Sequence, residues 1–271
     1  MGGGAMSVSV VGIGYGADVT GEVRDVLARA DVVIGHESFI AAVRHLVRAG
    51  AECFDVQAMA TATEDIFAVR ARAAVERDLK GAHVVIVSGG DPGLLGMAGP
   101  FLRGLYARAR EDRPVEDVRI LPGLSAWQYA SARLGAPFNG GVCVLSLCLY
   151  SHTETKILRQ IKGVAASGLG LVAYMLRHNG EMKPERYPTP EPAVDLARRR
   201  FVTLRDELLR HRDPRTPAFL VRGLGEERDG KPERAPLAEC LGLWERSDAV
   251  SVFCVPGDDY EEGGDFIWNV T

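Results

Sequence analysis

Three short glycine-bearing segments hold the chemistry this sequence offers. They are Gly12-Ile13-Gly14-Tyr15-Gly16, Ser88-Gly89-Gly90-Asp91-Pro92-Gly93 and Pro122-Gly123-Leu124-Ser125. Each follows an apolar run rich in β-branched residues, at 7–11, 82–88 and 118–121. Glycine lets a backbone approach a ligand with no Cβ in the way. Ligands of open α/β sheets bind beyond the carboxyl ends of the strands. Three such turns at one sheet edge would outline a small-molecule site. Asp91 brings a carboxylate to the second turn, and Pro92 restricts it to extended dihedrals, which holds the carboxylate at the ligand edge. It is the candidate for a catalytic role near substrate, polar or proton-accepting. The rival reading is a cap for the next helix. The first turn also has two readings. With Glu37 just past the second strand it could bind a nicotinamide dinucleotide. Its spacing is G-x-G-x-G rather than G-x-G-x-x-G, however, so the last glycine is displaced from its helix-packing place. A plain tight turn is the alternative.

Those turns need strands and helices to position them. Apolar runs at 7–11, 31–35, 82–88 and 118–121 alternate with helical patterns at 39–47, 63–79 and 96–110 and from Ser125. A further helix, capped by Asp18 or Thr20, carries Val23, Val26, Leu27 and Ala30 on one face. Strands alternating with helices predict a mostly parallel sheet covered on both faces. The Gly- and Pro-bearing stretch 135–141 is the predicted linker, giving an N-terminal α/β domain at 7–136 and a C-terminal one at 142–271. The second half predicts strands at 142–149, 170–175, 218–221 and 250–255 and helices at 153–166 and 193–210, with an irregular proline-bearing stretch at 177–192. The run Arg198-Arg199-Arg200 reads as a solvated helix face, and the acidic stretch 258–265 as a surface tail.

Composition bounds the function. A chain of 271 residues can bury one large core or two modest ones. A net charge of −4 argues against a nucleic-acid binder relying on a basic field. Met1-Gly2-Gly3-Gly4-Ala5 reads as an added leader before a natural Met6. Neither a membrane span nor a secretory signal is expected. The five cysteines form no C-x-x-C pair, which suggests reduced thiols and a cytoplasmic protein. The six histidines are dispersed, so no metal site is expected.

Taken in order, Val11-Gly12-Ile13-Gly14-Tyr15-Gly16, Val87-Ser88-Gly89-Gly90-Asp91-Pro92-Gly93 with Met97-Ala98-Gly99, and Leu121-Pro122-Gly123-Leu124-Ser125-Ala126 resemble the motifs of the tetrapyrrole methylases. The run 88–99 and the segment Gly135-Ala136-Pro137 resemble the precorrin-3B C17-methyltransferase branch of cobalamin biosynthesis in particular. The resemblance covers residues 8–136 well and continues more weakly through Ser146-Leu147 and Ala173-Tyr174-Met175. It implies two α/β domains with S-adenosylmethionine in the cleft between them, a small-molecule tetrapyrrole substrate and a homodimer. It implies cofactor contacts from Gly89, Gly90, Asp91, Pro92 and Leu95, from Ser125 and Ala126, and from Leu147, Tyr174 and Met175. The first turn, Gly14, Tyr15 and Gly16, would face the substrate. Leu95, Leu147 and Met175 could equally be core.

The pattern breaks in the second half. The C17 branch carries Ser-Leu-Ser-Asp where this chain has Ser146-Leu147-Cys148-Leu149, and a Tyr-Asn-Pro-like turn where it has Tyr174-Met175-Leu176-Arg177-His178-Asn179. The prolines at 184–192 also look foreign to it. Tyr150, His152, Arg177 and His178 are polar candidates for the altered cleft. A methyltransferase of the same fold acting on a peptide or specialised metabolite is therefore the alternative, and a non-catalytic binding protein that kept the fold is a third reading.

Overall fold

The computed structural model of the chain describes residues 8–16, 18–55, 66–78, 81–109, 118–147, 153–177, 192–224 and 231–270. It divides into two units, Met1–Ser125 and Ala126–Thr271.

The first unit is built on β1 (Val8–Gly12), β2 (Val32–Gly35), β3 (Glu52–Asp55), β4 (Val84–Ser88) and β5 (Val118–Leu121). All five are parallel, in the order β3-β2-β4-β1-β5. The helices are α1 (Gly21–Arg29), α2 (Glu37–Val43), α3 (Ile66–Asp78) and α4 (Ala98–Ala109). The unbroken apolar runs have a simple cause. Successive side chains of a strand point to opposite faces, and here both faces are covered. Val8, Val10, Ile34 and Ile86 join Phe101 and Leu105 of α4 in one core. Val11, Val33, Val85 and Val87 join Val23 and Leu27 of α1 and Ile40 and Val43 of α2 in another. Thr20 caps α1, its hydroxyl accepting from Val23 N–H at 3.2 Å. The helix expected at 39–47 begins earlier, at Glu37, and tightens into a 3₁₀ turn over Arg44–Leu46. β3 escaped the sequence pattern because it is a four-residue edge strand with a charged residue at each end.

The second unit contains α5 (Ala126–Leu134), β6 (Gly135–Ala136), β7 (Val142–Ser146), α6 (Glu154–Ala166), β8 (Gly170–Tyr174), α7 (Ala193–Leu209), β9 (Pro217–Val221), β10 (Glu233–Pro236), α8 (Leu241–Glu245), β11 (Val252–Val255), β12 (Tyr260–Gly263) and β13 (Phe266–Asn269). Its main sheet runs β10-β9-β11-β8-β7, with β7 and β8 parallel and the other pairs antiparallel. Leu145, Leu171, Leu220 and Phe253 of that sheet pack with Ile157 and Ile161 of α6 and with Phe201 and Leu204 of α7.

Three expectations for this half are corrected. The linker at 135–141 is no boundary. Gly135 and Ala136 pair with Ile267 and Trp268, and Asn139 donates to the Asn269 carbonyl at 3.3 Å, which ties the stretch into the second unit; the division falls at Ser125/Ala126 instead. The acidic stretch is no tail, since β12 and β13 form an antiparallel hairpin through it. The arginine run is not uniformly solvated. Arg198 and Arg199 are exposed, but Arg200 lies on the buried stripe of Leu196, Ala197, Phe201, Leu204 and Leu208 and is itself buried. Its guanidinium bonds Glu154 and, at 3.3 Å, the Leu147 carbonyl, which is how a buried charge is tolerated. The proline-bearing stretch 178–191 lies outside the described residues.

Cys240 and Cys254 are buried, and burial pushes the Cys240 thiol up to about 12 and the Cys254 thiol up as well. The thiolate is the reactive form. In native protein at pH 8 both cysteines stay unmodified by iodoacetamide, and both alkylate once guanidinium unfolds the chain. Peptide mass spectrometry reads this out; native labelling at the unfolded rate would contradict the burial.

Candidate functional site

The strand order sets the three glycine turns side by side. β4, β1 and β5 are consecutive neighbours, so the segments after Ser88, Gly12 and Leu121 leave one sheet edge together. They are joined main chain to main chain. Ile13 N–H donates to Ser88 O at 3.0 Å, Gly14 N–H to Gly90 O at 3.2 Å, and Gly90 N–H to Gly14 O at 2.8 Å. A Cβ on Gly12 would lie 2.5 Å from Gly123 N, and one on Gly123 would lie 2.4 Å from Gly90 O. Glycine at these two positions therefore serves the approach of one turn to another. Gly90 is different. Its φ is +65°, and an added Cβ would meet Ser125 Cα at 3.8 Å and Leu124 O at 3.9 Å, ordinary contact distances, so backbone conformation rather than crowding calls for glycine there. Gly89 faces the half-buried Phe39 of α2, whose ring a Cβ would meet at 2.6 Å. Phe39 was missed from sequence, where nothing in its spacing ties it to the Gly89 turn.

Asp91 braces the turns through both carboxylate oxygens. One carboxylate oxygen accepts from Gly93 N–H at 2.8 Å and Leu94 N–H at 3.1 Å, and the other accepts from Gly123 N–H at 3.1 Å. Three backbone donors on one carboxylate tie the second turn to the third. Ser88 adds to the same knot, its hydroxyl accepting from Met97 N–H at 3.3 Å. Pro92 is buried and its carbonyl accepts from Ala98 N–H at 2.9 Å, which starts α4.

The first turn also reads differently in three dimensions. Gly14 and Gly16 are buried and Tyr15 is half-buried, so of the three expected substrate contacts only Tyr15 reaches the surface appreciably. Gly16 keeps a helix-packing role after all, against α2 rather than α1: its added Cβ would lie 2.6 Å from Ala42 Cβ. The dinucleotide reading fails here. Gly14 N–H is engaged by Gly90 O and Gly16 N–H by Ile13 O at 2.7 Å, so these amides do not offer the cradle a pyrophosphate needs. Glu37 is exposed as the first residue of α2.

Backbone strain marks two further candidates. Among the described residues, the non-glycine positions with positive φ are Leu95 at 56°, Met175 at 58° and Asp259 at 60°. Such conformations persist where the surroundings over-determine them, and they cluster at ligand clamps. Leu95 follows the β4 turn and is 54% exposed. Met175 follows β8 and is half-buried. Beside it, the Tyr174 hydroxyl accepts from Trp127 N–H at 2.6 Å in the first turn of α5. Ser125 is buried and Ala126 half-buried. Leu147, for which core and cofactor contact were both open, lies in the hydrophobic core. It is 1% exposed, its N–H donates to Tyr174 O at 2.9 Å and its carbonyl is held by Arg200. Of the polar candidates, Arg177 places its guanidinium 4.8 Å from the Trp244 ring; Tyr150, His152 and His178 lie outside the described residues.

A cavity of about 500 Å³ lies at the amino edge of the first sheet, away from these turns. Its Arg48 pairs with Asp31 at 2.5 Å, and its Arg77 stacks 3.7 Å from the Phe54 ring. No group of three or more His, Cys, Asp or Glu among the described residues is placed to hold a metal ion, and no described helix is long and apolar enough to cross a membrane.

The comparisons fit this arrangement. The model of the tetrapyrrole (corrin/porphyrin) methylases matches residues 7–240, and the chain belongs to that family. A probable cobalt-factor III C(17)-methyltransferase of Methanothermobacter thermautotrophicus is 30% identical over 83% of this chain and 55% of its own length. The chain spans 37–55% of the length of the first curated relatives it matches. Among solved structures, the methyltransferase CobJ superposes with a TM-score of 0.80 at 23% identity, covering 98% of this chain and all of that one. A uroporphyrin-III C-methyl transferase from Thermus thermophilus, complexed with S-adenosyl homocysteine, gives 0.62 at 19% identity over 92% and 97%. These two likenesses establish a shared fold.

Proposed function

We propose that the chain is an S-adenosylmethionine-dependent methyltransferase acting on a carbon of a precorrin-type tetrapyrrole, with C17 the position that the named relative indicates. The observation that carries this reading is the junction of the three family motifs at one edge of a parallel sheet, braced by Asp91. The cofactor supplies an electrophilic sulfonium methyl. This chain's residues supply placement. Gly89, Gly90 and Pro92 form a fixed backbone wall, Leu95 presents an exposed apolar side chain beside it, and Ser125, Ala126, Tyr174 and Met175 belong to the same proposed contact set. With Asp91 engaged by three amides, rate enhancement rests on alignment and exclusion of water rather than on that carboxylate as a base. A homodimer and a cytoplasmic location complete the proposal. The departure at Leu149, where the C17 branch carries an acid, favours one rival: the same transfer to a different acceptor.

Calorimetric titration with S-adenosylmethionine and S-adenosylhomocysteine tests the cofactor. Micromolar binding is expected, and Gly90→Leu abolishes it, because a branched side chain strains a backbone with φ +65° and presses on the Leu124-Ser125 turn. Binding of neither ligand to the unmodified chain would remove the basis of the reading. Transfer of a labelled methyl group to cobalt-factor III or precorrin-3B, against non-tetrapyrrole acceptors, then separates the two substrate classes.

A further inference from the structure

We propose that Trp244 is a positioning residue for the cofactor, acting through the strained turn at Met175, with the Tyr174 hydroxyl as its second anchor. The proposal rests on the cofactor reading above and extends it to a residue outside every motif.

Met175 holds a left-handed φ of 58° without being glycine. A conformation of that kind relaxes unless its neighbours are fixed, and both are. On one side, Tyr174 O accepts from Leu147 N–H at 2.9 Å and Tyr174 Oη accepts from Trp127 N–H at 2.6 Å. On the other, Leu176 is fully buried and its carbonyl accepts from Trp244 Nε1–H at 3.0 Å. Arg177, the next residue, stacks on the same indole at 4.8 Å.

Trp244 comes from α8, nearly seventy residues further along the chain, and is 3% exposed. Its ring packs against Phe201 with centroids 6.4 Å apart. Phenylalanine could fill much of that space. What only the indole brings is a donor, and it is directed at the carbonyl that follows the strained residue. The Tyr174 hydroxyl likewise satisfies a first-turn amide that α5 cannot satisfy within itself. The two side chains thus over-determine a turn whose central residue, Met175, is a proposed contact of the cofactor.

Trp244→Phe removes the donor and keeps most of the packing. The expected result is a Kd for S-adenosylhomocysteine raised about tenfold, as the binding-competent turn becomes the minor state. In a Met175→Gly background the same substitution has a smaller effect, because glycine holds positive φ without help; the double-mutant cycle is non-additive. A merely structural tryptophan would lower Tm, leave the Kd of the folded protein unchanged and give additive effects, and that outcome would overturn the proposal. If Trp244→Phe fails to fold, the Met175→Gly/Trp244→Phe double variant carries the test: binding equal to that of Met175→Gly alone supports the anchored turn, and failure to fold or a further loss of binding overturns it. An unmodified chain that binds neither cofactor form shows instead that the cofactor reading has failed, before any variant is made.

Discussion

Asp91→Asn weakens S-adenosylmethionine binding about thirtyfold and leaves the pH dependence of turnover unchanged. The carboxylate accepts from Gly93 and Leu94 with one oxygen and from Gly123 with the other. Asparagine keeps an acceptor for the first pair. Its amide nitrogen then faces the Gly123 N–H, donor against donor. Hydrogen bonds to charged groups contribute about 1.5–3 kcal/mol, and a loss near 2 kcal/mol corresponds to roughly thirtyfold. The loss falls on affinity because the bond joins two of the turns that form the proposed binding wall. A general base would behave otherwise. Its removal would lower kcat about 10²–10⁴-fold and delete an ionisation from the kcat profile. A hundredfold fall in kcat at unchanged affinity would restore Asp91 to catalysis and sink the brace.

Much of this architecture is legible in the amino-acid sequence, for a physical reason. Strands buried on both faces carry long apolar runs, and a turn ending in glycine marks where each one stops. That pattern located β1, β2, β4 and β5 and the edge at which the glycine turns of β1, β4 and β5 meet. What stayed hidden depends on partners distant in sequence. Gly135-Ala136 looks like a linker because its strand partners, Ile267 and Trp268, are some 130 residues away. Arg200 looks solvated because the run hides which of three arginines falls on the buried stripe of α7. The bracing by Asp91 stayed hidden because residue type and the following proline place a carboxylate without saying what it bonds. Only the convergence of β4 with β5 brings Gly123 N–H to it. Phe39 and Trp244 carry no local signal. The only trace of Phe39 is that Gly89 has no room for a Cβ, and the trace of Trp244 is the backbone strain at Met175.

Gly123→Ala has the largest expected effect on stability, and its cause is a single methyl group. The added carbon would sit 2.4 Å from Gly90 O, 2.6 Å from Gly12 C and 2.7 Å from Gly12 O. All three are backbone atoms, so no side-chain rotamer can move aside. Relief requires β1 and the β4 turn to separate from the β5 turn, which breaks the Asp91–Gly123 bond and disturbs the Gly14–Gly90 pair. Overpacking a well-packed site costs about 1–3 kcal/mol, and the bonds lost with it raise the total to roughly 3 kcal/mol or more. For a chain of this size that lowers Tm by about 10 °C, and cofactor binding is lost in step, since the same junction forms the wall beside Gly90. Gly163→Ala supplies the contrast. It lies inside α6 with nothing within 4 Å of its added Cβ, so the methyl group raises stability by about 0.5–1 kcal/mol through helix propensity alone. Thermal melts of the two variants, run beside titrations with S-adenosylhomocysteine, read both signs. A Gly123→Ala protein that melts and binds as the parent does would mean that the three turns are not packed against one another, and the proposed binding wall would fall with them.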